Sequence, residues 1–284
     1  MSTVVTQPET VEVPLPGAAV PRRRRRRWTR FVLPTYVALV LFYLVLPILV
    51  MILFSFNDSG FKKVSFRWLG FTGQWYAKVF AQPDLTVALK NSLIVAVVST
   101  LIATAFGTLI ALALVRYRFR GRGPADFVLF LNIAAPEIVL GAALLSLFIT
   151  FGVARGLVTI IIAHVMFTVA YVAVTVRARL AGFDRHLEEA AQDLGAGPWG
   201  TFRYVTLPLI FPGVLAGALL AFALSIDDFV ITNFNSGTTQ TFPLWVYGAV
   251  KVGIPPQVFV MGTLIFGLGV MLAIANVVLQ RRKS

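Results

Sequence analysis

Six long apolar runs constrain the fold of this chain more than any other feature of its sequence. They cover residues 31–56, 91–115, 127–153, 156–176, 205–226 and 252–280. Each has the length of about 20 residues that an α-helix needs to cross the hydrocarbon core of a bilayer. Continuous apolar runs exclude a transmembrane barrel, because barrel strands alternate between apolar and polar residues. The sequence therefore predicts an all-α integral membrane protein with six transmembrane helices.

The distribution of basic residues predicts how the chain is oriented in the membrane. If the N-terminus is cytoplasmic, 18 of the 25 Lys and Arg residues lie inside and 7 lie outside. Cytoplasmic segments carry such an excess of basic residues, so both termini are expected in the cytoplasm of a bacterium, with the protein in its plasma (inner) membrane. The same rule accounts for the net charge of +13 without a nucleic-acid partner.

The chain is expected to contain one folded domain. Residues 1–30 are rich in proline, small residues and arginine, which predicts a disordered basic cytoplasmic tail in contact with anionic lipid. Residues 31–280 form the predicted transmembrane domain, and residues 281–284 form a second cytoplasmic tail. The 31–56 run is too long for a cleavable signal peptide, so it is interpreted as an uncleaved anchor. Without cysteine, the chain has no disulfide or thiolate metal site.

A polar segment at about 184–208 separates the fourth and fifth apolar runs. Asp184 is a suitable cap for a short helix that continues to Leu194, and Gly195 is suited to a left-handed stop. Pro198 prevents the helix from continuing. The segment therefore predicts a compact, capped helical knob. The general alternative is a connecting helix with a solvated charged face and no further role.

The spacing of Glu-Ala-Ala, three residues, Gly, nine residues and Val-x-Leu-Pro resembles the EAA loop of the permease subunits of ATP-binding-cassette (ABC) importers. Val205 replaces the usual Ile. In that family the loop docks on the ATPase. The resemblance implies an ATPase-coupling role for Glu188, Glu189, Ala190, Ala191, Gly195, Leu207 and Pro208.

The same glycines also fit a nucleotide-binding pattern. Gly195, Gly197 and Gly200 match G-x-G-x-x-G, but that fingerprint requires a preceding strand and a following soluble helix, and neither context is present. A P-loop motif is also absent, because none of the six lysines follows a glycine. The chain is therefore expected to be a non-catalytic subunit without its own cofactor. Partner subunits would bind ATP and Mg²⁺.

Two further segments resemble the spermidine and putrescine permease subunits within this family. They are Pro136–Gly141 and Leu224–Val230. The resemblance implies a MetI-like type I importer fold and alternating access to a small cationic substrate. It also implies a homologous second permease subunit, two ATP-binding subunits and an external solute-binding protein.

Glu137 is the candidate pathway residue in the third apolar run. A carboxylate in the hydrocarbon costs about 2.5–3.5 kcal/mol on insertion scales, so it is expected to face a partner, a cavity or a substrate. Counted along a helix from residue 127, Glu137 lies about 15 Å deep, close to the bilayer midplane. Pro136 predicts a kink there. The alternative is a protonated or hydrogen-bonded glutamate with a packing role only.

Asp227 and Asp228 are the other two candidate pathway residues, at the outer end of the fifth run. Adjacent helical positions point about 100° apart, so one is expected to face the pathway while the other caps a turn or binds a neighbouring loop. His164, in the fourth run, is interpreted as a neutral histidine bonded inside the bundle. Gly213 and Gly217 permit close helix packing.

Three alternatives remain open from the sequence. The permease could carry another small solute, such as a phosphonate, ferric iron or an amino-acid-like compound. A secondary transporter could use Glu137 to bind protons or Na⁺, although it would have no reason to carry the 184–208 loop. A non-transporting membrane scaffold is the third. Trp68, Trp75 and Tyr76 are expected to anchor an outer segment in the headgroup layer.

Overall fold

The computed structural model describes residues 29–59, 67–182, 184 and 186–281. Most of the tail predicted to be disordered and the last three residues lie outside these ranges, so the predicted tail boundaries remain predictions. The chain divides into two units, residues 1–49 and 50–284, and the first helix runs across their boundary.

The described residues are helical almost throughout, as the apolar runs predict. Their one isolated β-bridge pairs Asn57 with Phe71. The helices are α1 Thr29–Ser55, α2 Gln74–Ala77, α3 Pro83–Arg116, α4 Arg122–Ala134, α5 Glu137–Thr150, α6 Leu157–Ala181, α7 His186–Asp193, α8 Pro198–Thr201, a π-helix Phe202–Thr206, α9 Leu207–Asp227, α10 Val230–Asn235, α11 Phe242–Val252 and α12 Pro256–Arg281.

Four helical spans among the described residues are long and apolar enough to cross a membrane. They are Phe31–Ser55, Pro83–Arg116, Leu157–Ala181 and Pro198–Asp227. A fifth crossing is available if α4 and α5 together form one broken span. The apolar stretch Pro256–Leu272 of α12 is shorter than the other four.

The third apolar run does not form one kinked helix. Helices α4 and α5 are bent by 110° at the break around Ala135 and Pro136. Pro136 has no N–H and forces the preceding residue into extended backbone, which ends α4. The predicted 15 Å depth of Glu137 assumed a continuous helix from residue 127. That helix ends at Ala134, so Glu137 lies at a sharp corner as the first residue of α5, and its depth in the membrane stays a prediction.

Helices α3, α6 and α9 pack against one another and form the core of the second unit. Small residues allow their backbones to approach closely. A Cβ at Gly107 would lie 2.7 Å from the Val172 Cβ, and a Cβ at Gly213 would lie 2.6 Å from the Arg179 Cβ. Gly217 also faces Val172. The prediction of close packing at Gly213 and Gly217 is confirmed, and the partner is α6 of the same chain.

The segment between α1 and α3 is held by polar and aromatic contacts. The Trp75 indole donates a hydrogen bond to the Asn57 carbonyl at 2.9 Å, and the hydroxyls of Tyr76 and Ser55 lie 2.8 Å apart. The rings of Phe56 and Tyr76 stack at 4.8 Å. These contacts explain the positions of both aromatic residues without reference to lipid. Their anchoring in the headgroup layer stays a prediction.

Candidate functional site

Helix α7 begins as the sequence predicts. The Asp184 Oδ1 accepts the His186 backbone N–H at 3.0 Å and also lies 2.6 Å from the His186 Nδ1. Both side chains are exposed. Hydrogen bonding to His186 lowers the pKa of the Asp184 carboxyl, and the same pairing, reinforced by the charges of Asp184 and Glu189, raises the pKa of His186. The predicted capping role of Asp184 is confirmed.

The end of α7 is a Schellman motif around Gly195. The Gly195 N–H bonds to the Gln192 carbonyl at 2.8 Å, and the Ala196 N–H bonds to the Ala191 carbonyl at 3.0 Å. Gly195 has φ +91°, which an L side chain rarely adopts. The predicted left-handed stop is confirmed, although regular helix ends at Asp193, one residue before the predicted end.

The 184–208 segment also exposes apolar residues that the sequence analysis did not single out. Leu194, Trp199 and Tyr204 are 90%, 71% and 76% exposed. None of the eight described residues of α7 is buried. Large apolar side chains exposed on a polar loop are available to contact a partner. In the sequence these residues are recognisable as isolated bulky apolar residues in a loop that consists mostly of charged and small residues.

The predicted coupling residues separate into two groups. Glu189, Ala190, Gly195 and Pro208 are exposed, whereas Ala191 and Leu207 are half-buried. Leu207 packs against the core cluster of α3, α6 and α9. The first four are therefore accessible to a partner, and Leu207 belongs to the interior.

Glu188 faces inward, not toward the exposed surface. Its Oε1 accepts hydrogen bonds from the Arg116 Nη2 at 2.7 Å and from the Thr206 Oγ1 at 2.6 Å. Its side chain is 14% exposed and that of Arg116 is 15% exposed. The alternative of a solvated charged face therefore does not hold for Glu188, whose coupling role stays a prediction. One carboxylate oxygen instead connects α7 to the last residue of α3 and to the start of α9.

The backbone widens into a π-helix where the Val-x-Leu-Pro segment enters α9. The Leu207 N–H bonds to the carbonyl of Phe202, five residues earlier. Pro208 has no N–H, and its ring crowds the preceding turn, which favours this wider turn over a regular α-helix. The π-helix ends at Thr206, the residue that donates to Glu188.

Asp227 and Asp228 have different environments, as expected for adjacent helical positions that point about 100° apart. Asp228 is buried and caps α10. Its carboxylate accepts the Thr232 N–H at 2.8 Å, the Thr232 hydroxyl at 2.7 Å and the Ile231 N–H at 3.3 Å. Asp227 is partly exposed, and its carboxylate makes no hydrogen bond to another residue that the structure describes. The prediction that one of the two caps a turn is confirmed for Asp228.

Asp227 lines a pocket of about 580 Å³ between the end of α9, α11 and α12. Its other walls are mainly apolar and include Phe229, Phe242, Tyr247 and Phe266. The rings of Phe229 and Tyr247 lie 4.7 Å apart. The pocket thus combines one carboxylate with several aromatic faces, and both attract cations.

His164 is the centre of a buried polar network. Its Nδ1 lies 2.7 Å from the Ser225 Oγ, and its Nε2 lies 2.8 Å from the Thr232 Oγ1 and 3.2 Å from the Asp228 Oδ2. Ser225 continues to Ser99 of α3 at 3.0 Å. The predicted bonding of His164 inside the bundle is confirmed. The network connects α3, α6, α9 and α10, which the sequence did not reveal.

Glu137 is exposed at the corner between α4 and α5. Its carboxylate makes no hydrogen bond or ion pair to the described part of the chain. A negative charge in the first turn of a helix is favoured by the helix dipole, which gives Glu137 a local structural reason. Its role in a pathway stays a prediction.

Comparison with known proteins places this geometry in a family. Residues 103–284 match the family described as "binding-protein-dependent transport system inner membrane component". The chain is 39% identical over 243 residues to the spermidine/putrescine transport system permease protein PotC of Escherichia coli K12, which covers 85% of this chain and 91% of that protein. It is 38% identical over 233 residues to the putrescine transport system permease protein PotI of the same strain, which covers 79% and 82%.

Solved structures support the same fold. A chain of a bacterial ABC transporter involved in the import of the acidic polysaccharide alginate matches with a TM-score of 0.64 at 14% identity, covering 90% of this chain and 95% of that chain. A chain of the MetNI methionine ABC transporter in inward-facing conformations matches with a TM-score of 0.57 at 16% identity, covering 75% and 99%. This chain therefore belongs to the inner-membrane components of binding-protein-dependent transport systems, the multi-pass permease subunits of ABC importers.

Proposed function

We propose that this permease carries polyamines, with putrescine and spermidine as the substrates to test first. The main observation behind this proposal is the pocket at Asp227, which the Asp227 carboxylate lines together with the aromatic residues Phe229, Phe242 and Tyr247. Polyamines are chains of methylene groups between ammonium groups. A carboxylate suits the ammonium groups and apolar walls suit the methylene groups. Relatives named as polyamine permeases support the same substrate class.

The side chain of Lys251 already places an ammonium group over one of these aromatic rings. The Lys251 Nζ lies 5.1 Å from the centre of the Tyr247 ring. An alkylammonium over an aromatic face gains about 0.5–2 kcal/mol, depending on how far it is desolvated. A substrate ammonium group that entered from the Asp227 side would meet the same ring.

The proposal includes six membrane crossings with both termini in the cytoplasm. The α4–α5 pair would supply the third crossing and α12 the sixth. The 18-to-7 division of basic residues supports this orientation. In this orientation Asp227 lies near the outer mouth, while α7 and the exposed Trp199 lie on the cytoplasmic side.

The energy would come from two separate ATP-binding subunits, since the sequence contains no P-loop. The exposed face of the knob, with Glu189, Leu194 and Trp199, would dock on them. A homologous second permease and an external solute-binding protein would complete the importer. ATP-dependent closure of the ATPase pair would then switch the permease between outward and inward access.

Uptake by cells that cannot synthesise polyamines tests this proposal. The chain is expressed together with its second permease, ATP-binding subunits and solute-binding protein, and labelled putrescine and spermidine are supplied. We expect uptake that excess unlabelled polyamine abolishes and that phosphonate, ferric iron or amino acids leave unchanged. Competition by one of those solutes instead of polyamine would refute the substrate assignment.

Single cysteines test the orientation, because the natural chain contains none. Trp68→Cys is expected to react with an impermeant maleimide from outside. Arg118→Cys and Gln192→Cys are expected to react only after the cytoplasmic side is opened. External labelling of Gln192→Cys would contradict both the topology and the docking site.

A further inference from the structure

Three helical elements meet at the Glu188 carboxylate, which lies inside the knob and not on its docking face. Arg116 is the last residue of α3, Glu188 lies in the first turn of α7, and Thr206 ends the π-helix that leads into α9. The same carboxylate oxygen accepts from Arg116 at 2.7 Å and from Thr206 at 2.6 Å. The three residues are 18 to 90 positions apart in sequence, so the junction is a property of the folded chain.

The junction has the chemistry of a rigid link. Hydrogen bonds between ionised partners are shorter and stronger than neutral ones. Both charged side chains are at least 85% shielded from solvent, so screening by water and salt is weaker than at the surface. Thr206 is itself 4% exposed. Removing one partner would leave the other charge in this poorly solvated position without compensation, which is strongly unfavourable.

The elements that the junction joins extend through the protein. Helix α3 packs against both α6 and α9. Helix α9 runs from the junction to Asp227 at the other end of the membrane domain. By contrast, α7 buries none of its eight described residues, so apolar packing contributes little to holding it on the domain. A force applied to α7 therefore reaches α3 and α9 through polar contacts. Among these contacts, the Glu188 junction is charged and shielded from solvent.

We propose that Glu188, held by Arg116 and Thr206, is the positioning residue that transmits movement of the docked knob to α3 and α9. This inference rests on the proposed function, because it assumes that an ATPase docks on the exposed face of the knob. It separates two roles within one short helix. The exposed residues, including Glu189 and Leu194, hold the ATPase, and Glu188 converts its movement into movement of the transmembrane helices.

The test uses the assembled complex in lipid nanodiscs with an Ile226→Cys reporter. Ile226 precedes Asp227 and lines the same pocket, and the natural chain has no other cysteine. The rate of maleimide labelling is measured without nucleotide and with ATP and vanadate. The wild-type junction is expected to give a clear change in labelling rate on nucleotide binding. In Arg116→Gln the change is expected to fall about tenfold, while the ATPase still co-purifies.

Two further variants distinguish a link from general stability. The exchanged pair Arg116→Glu with Glu188→Arg restores opposite charges and is expected to restore part of the nucleotide response. Asp126→Asn is the matched control, since Asp126 pairs with Arg177 between α4 and α6 in a more exposed position, 33% and 38% exposed. This control is expected to keep the full response.

The outcomes separate this inference from the proposed function. An unchanged nucleotide response in Arg116→Gln would refute the inference, as would an equal loss in Asp126→Asn. Loss of the bound ATPase in Arg116→Gln would also refute it, because Glu188 would then belong to the docking interface. Failure of the wild-type chain to bind an ATPase or to respond to nucleotide would instead refute the proposed ATP-driven function. Labelling of the reporter does not depend on which solute is carried.

Discussion

Substitutions of Asp227 and Asp228 are expected to give opposite phenotypes although the residues are adjacent. Asp228 is 8% exposed, and its carboxylate accepts three hydrogen bonds from the first turn of α10 and lies 3.2 Å from the His164 Nε2. Asp227 is partly exposed in the pocket and has no hydrogen-bond partner among the described residues. Asp228 should therefore determine stability, and Asp227 should determine transport.

The magnitudes follow from the bonds that each substitution removes. Asp228→Ala removes the cap of α10, at about 0.5–2 kcal/mol. It also leaves the buried Thr232 hydroxyl, which donates to the same carboxylate, without its acceptor, at about 1–3 kcal/mol. A total of about 3 kcal/mol is expected for Asp228→Ala. Asp228→Asn keeps one acceptor oxygen and should cost about half of that. Asp227→Asn should change stability by less than about 0.5 kcal/mol, because it removes no bond within the described chain.

Thermal unfolding of the purified subunit and uptake by the complex distinguish the two residues. Asp227→Asn should unfold like the wild type yet lower putrescine uptake about tenfold, since the loss of one charge–charge contact of about 1.4 kcal/mol gives that factor. Asp228→Asn should unfold earlier, and uptake per folded molecule should fall less. The reasoning is refuted if Asp227→Asn destabilises the protein as much as Asp228→Ala, or if Asp228→Ala unfolds like the wild type.

Three other predictions concern the knob and the helix core. Gly195→Val should weaken retention of the ATPase in a pull-down assay. The φ of Gly195 is +91°, and a non-glycine residue in this left-handed conformation costs about 1–2 kcal/mol. Gly197→Ala is the control and should be neutral in the same assay, because there is open space around Gly197. Gly213→Val should lower the unfolding temperature, because its Cβ would meet the Arg179 Cβ at 2.6 Å; normal unfolding would contradict the packing of α9 on α6. The pair of Asp184 and His186 should stabilise α7 fully between about pH 4 and 6.5, the ordinary pKa values of the two groups. Its contribution should fade as the pH rises through the raised pKa of His186 or falls through the lowered pKa of Asp184. Because both side chains are exposed, the effect should be small. ATPase retention should decrease slightly as the pH rises above about 6.5, and His186→Gln should remove that decrease; an unchanged dependence would exclude this pair as its cause.

Much of the fold follows from apolar runs, because a run of this length can satisfy its backbone in lipid only as a helix. The runs locate α1, α3, α6 and α9, although α3 begins at Pro83, eight residues before its run. The first two turns of α3 contain the charged residues Asp84 and Lys90, so the apolar run does not include these turns. Proline at the first helical position was the available signal.

The break between α4 and α5 shows where sequence reasoning stops. Pro136 indicates that the helix is interrupted, but not that the two parts lie at 110°. The angle depends on what each part packs against, and α5 packs on α10. Helix α10 has only six residues, too short for a periodic pattern to indicate it.

The candidate sites were predictable to a similar extent. The spacing of the capping and stop residues predicted the knob, because these are local features of the backbone. The 100° step between neighbours predicted that Asp227 and Asp228 would separate. The contact of Glu188 with Arg116 joins residues 72 positions apart, and that of His164 with Asp228 joins residues 64 apart. Such contacts depend on how the helices pack, which no short motif in this sequence specifies.

We infer that this chain forms a cation-selective path for polyamines, driven by a separate ATPase. Its most direct test is accumulation of labelled putrescine by the complete purified complex in proteoliposomes, with the binding protein outside and ATP on the cytoplasmic side. We expect accumulation that requires hydrolysable ATP and that Asp227→Asn lowers about tenfold at unchanged complex assembly. Equal accumulation by the wild type and Asp227→Asn, or accumulation without ATP, would contradict it.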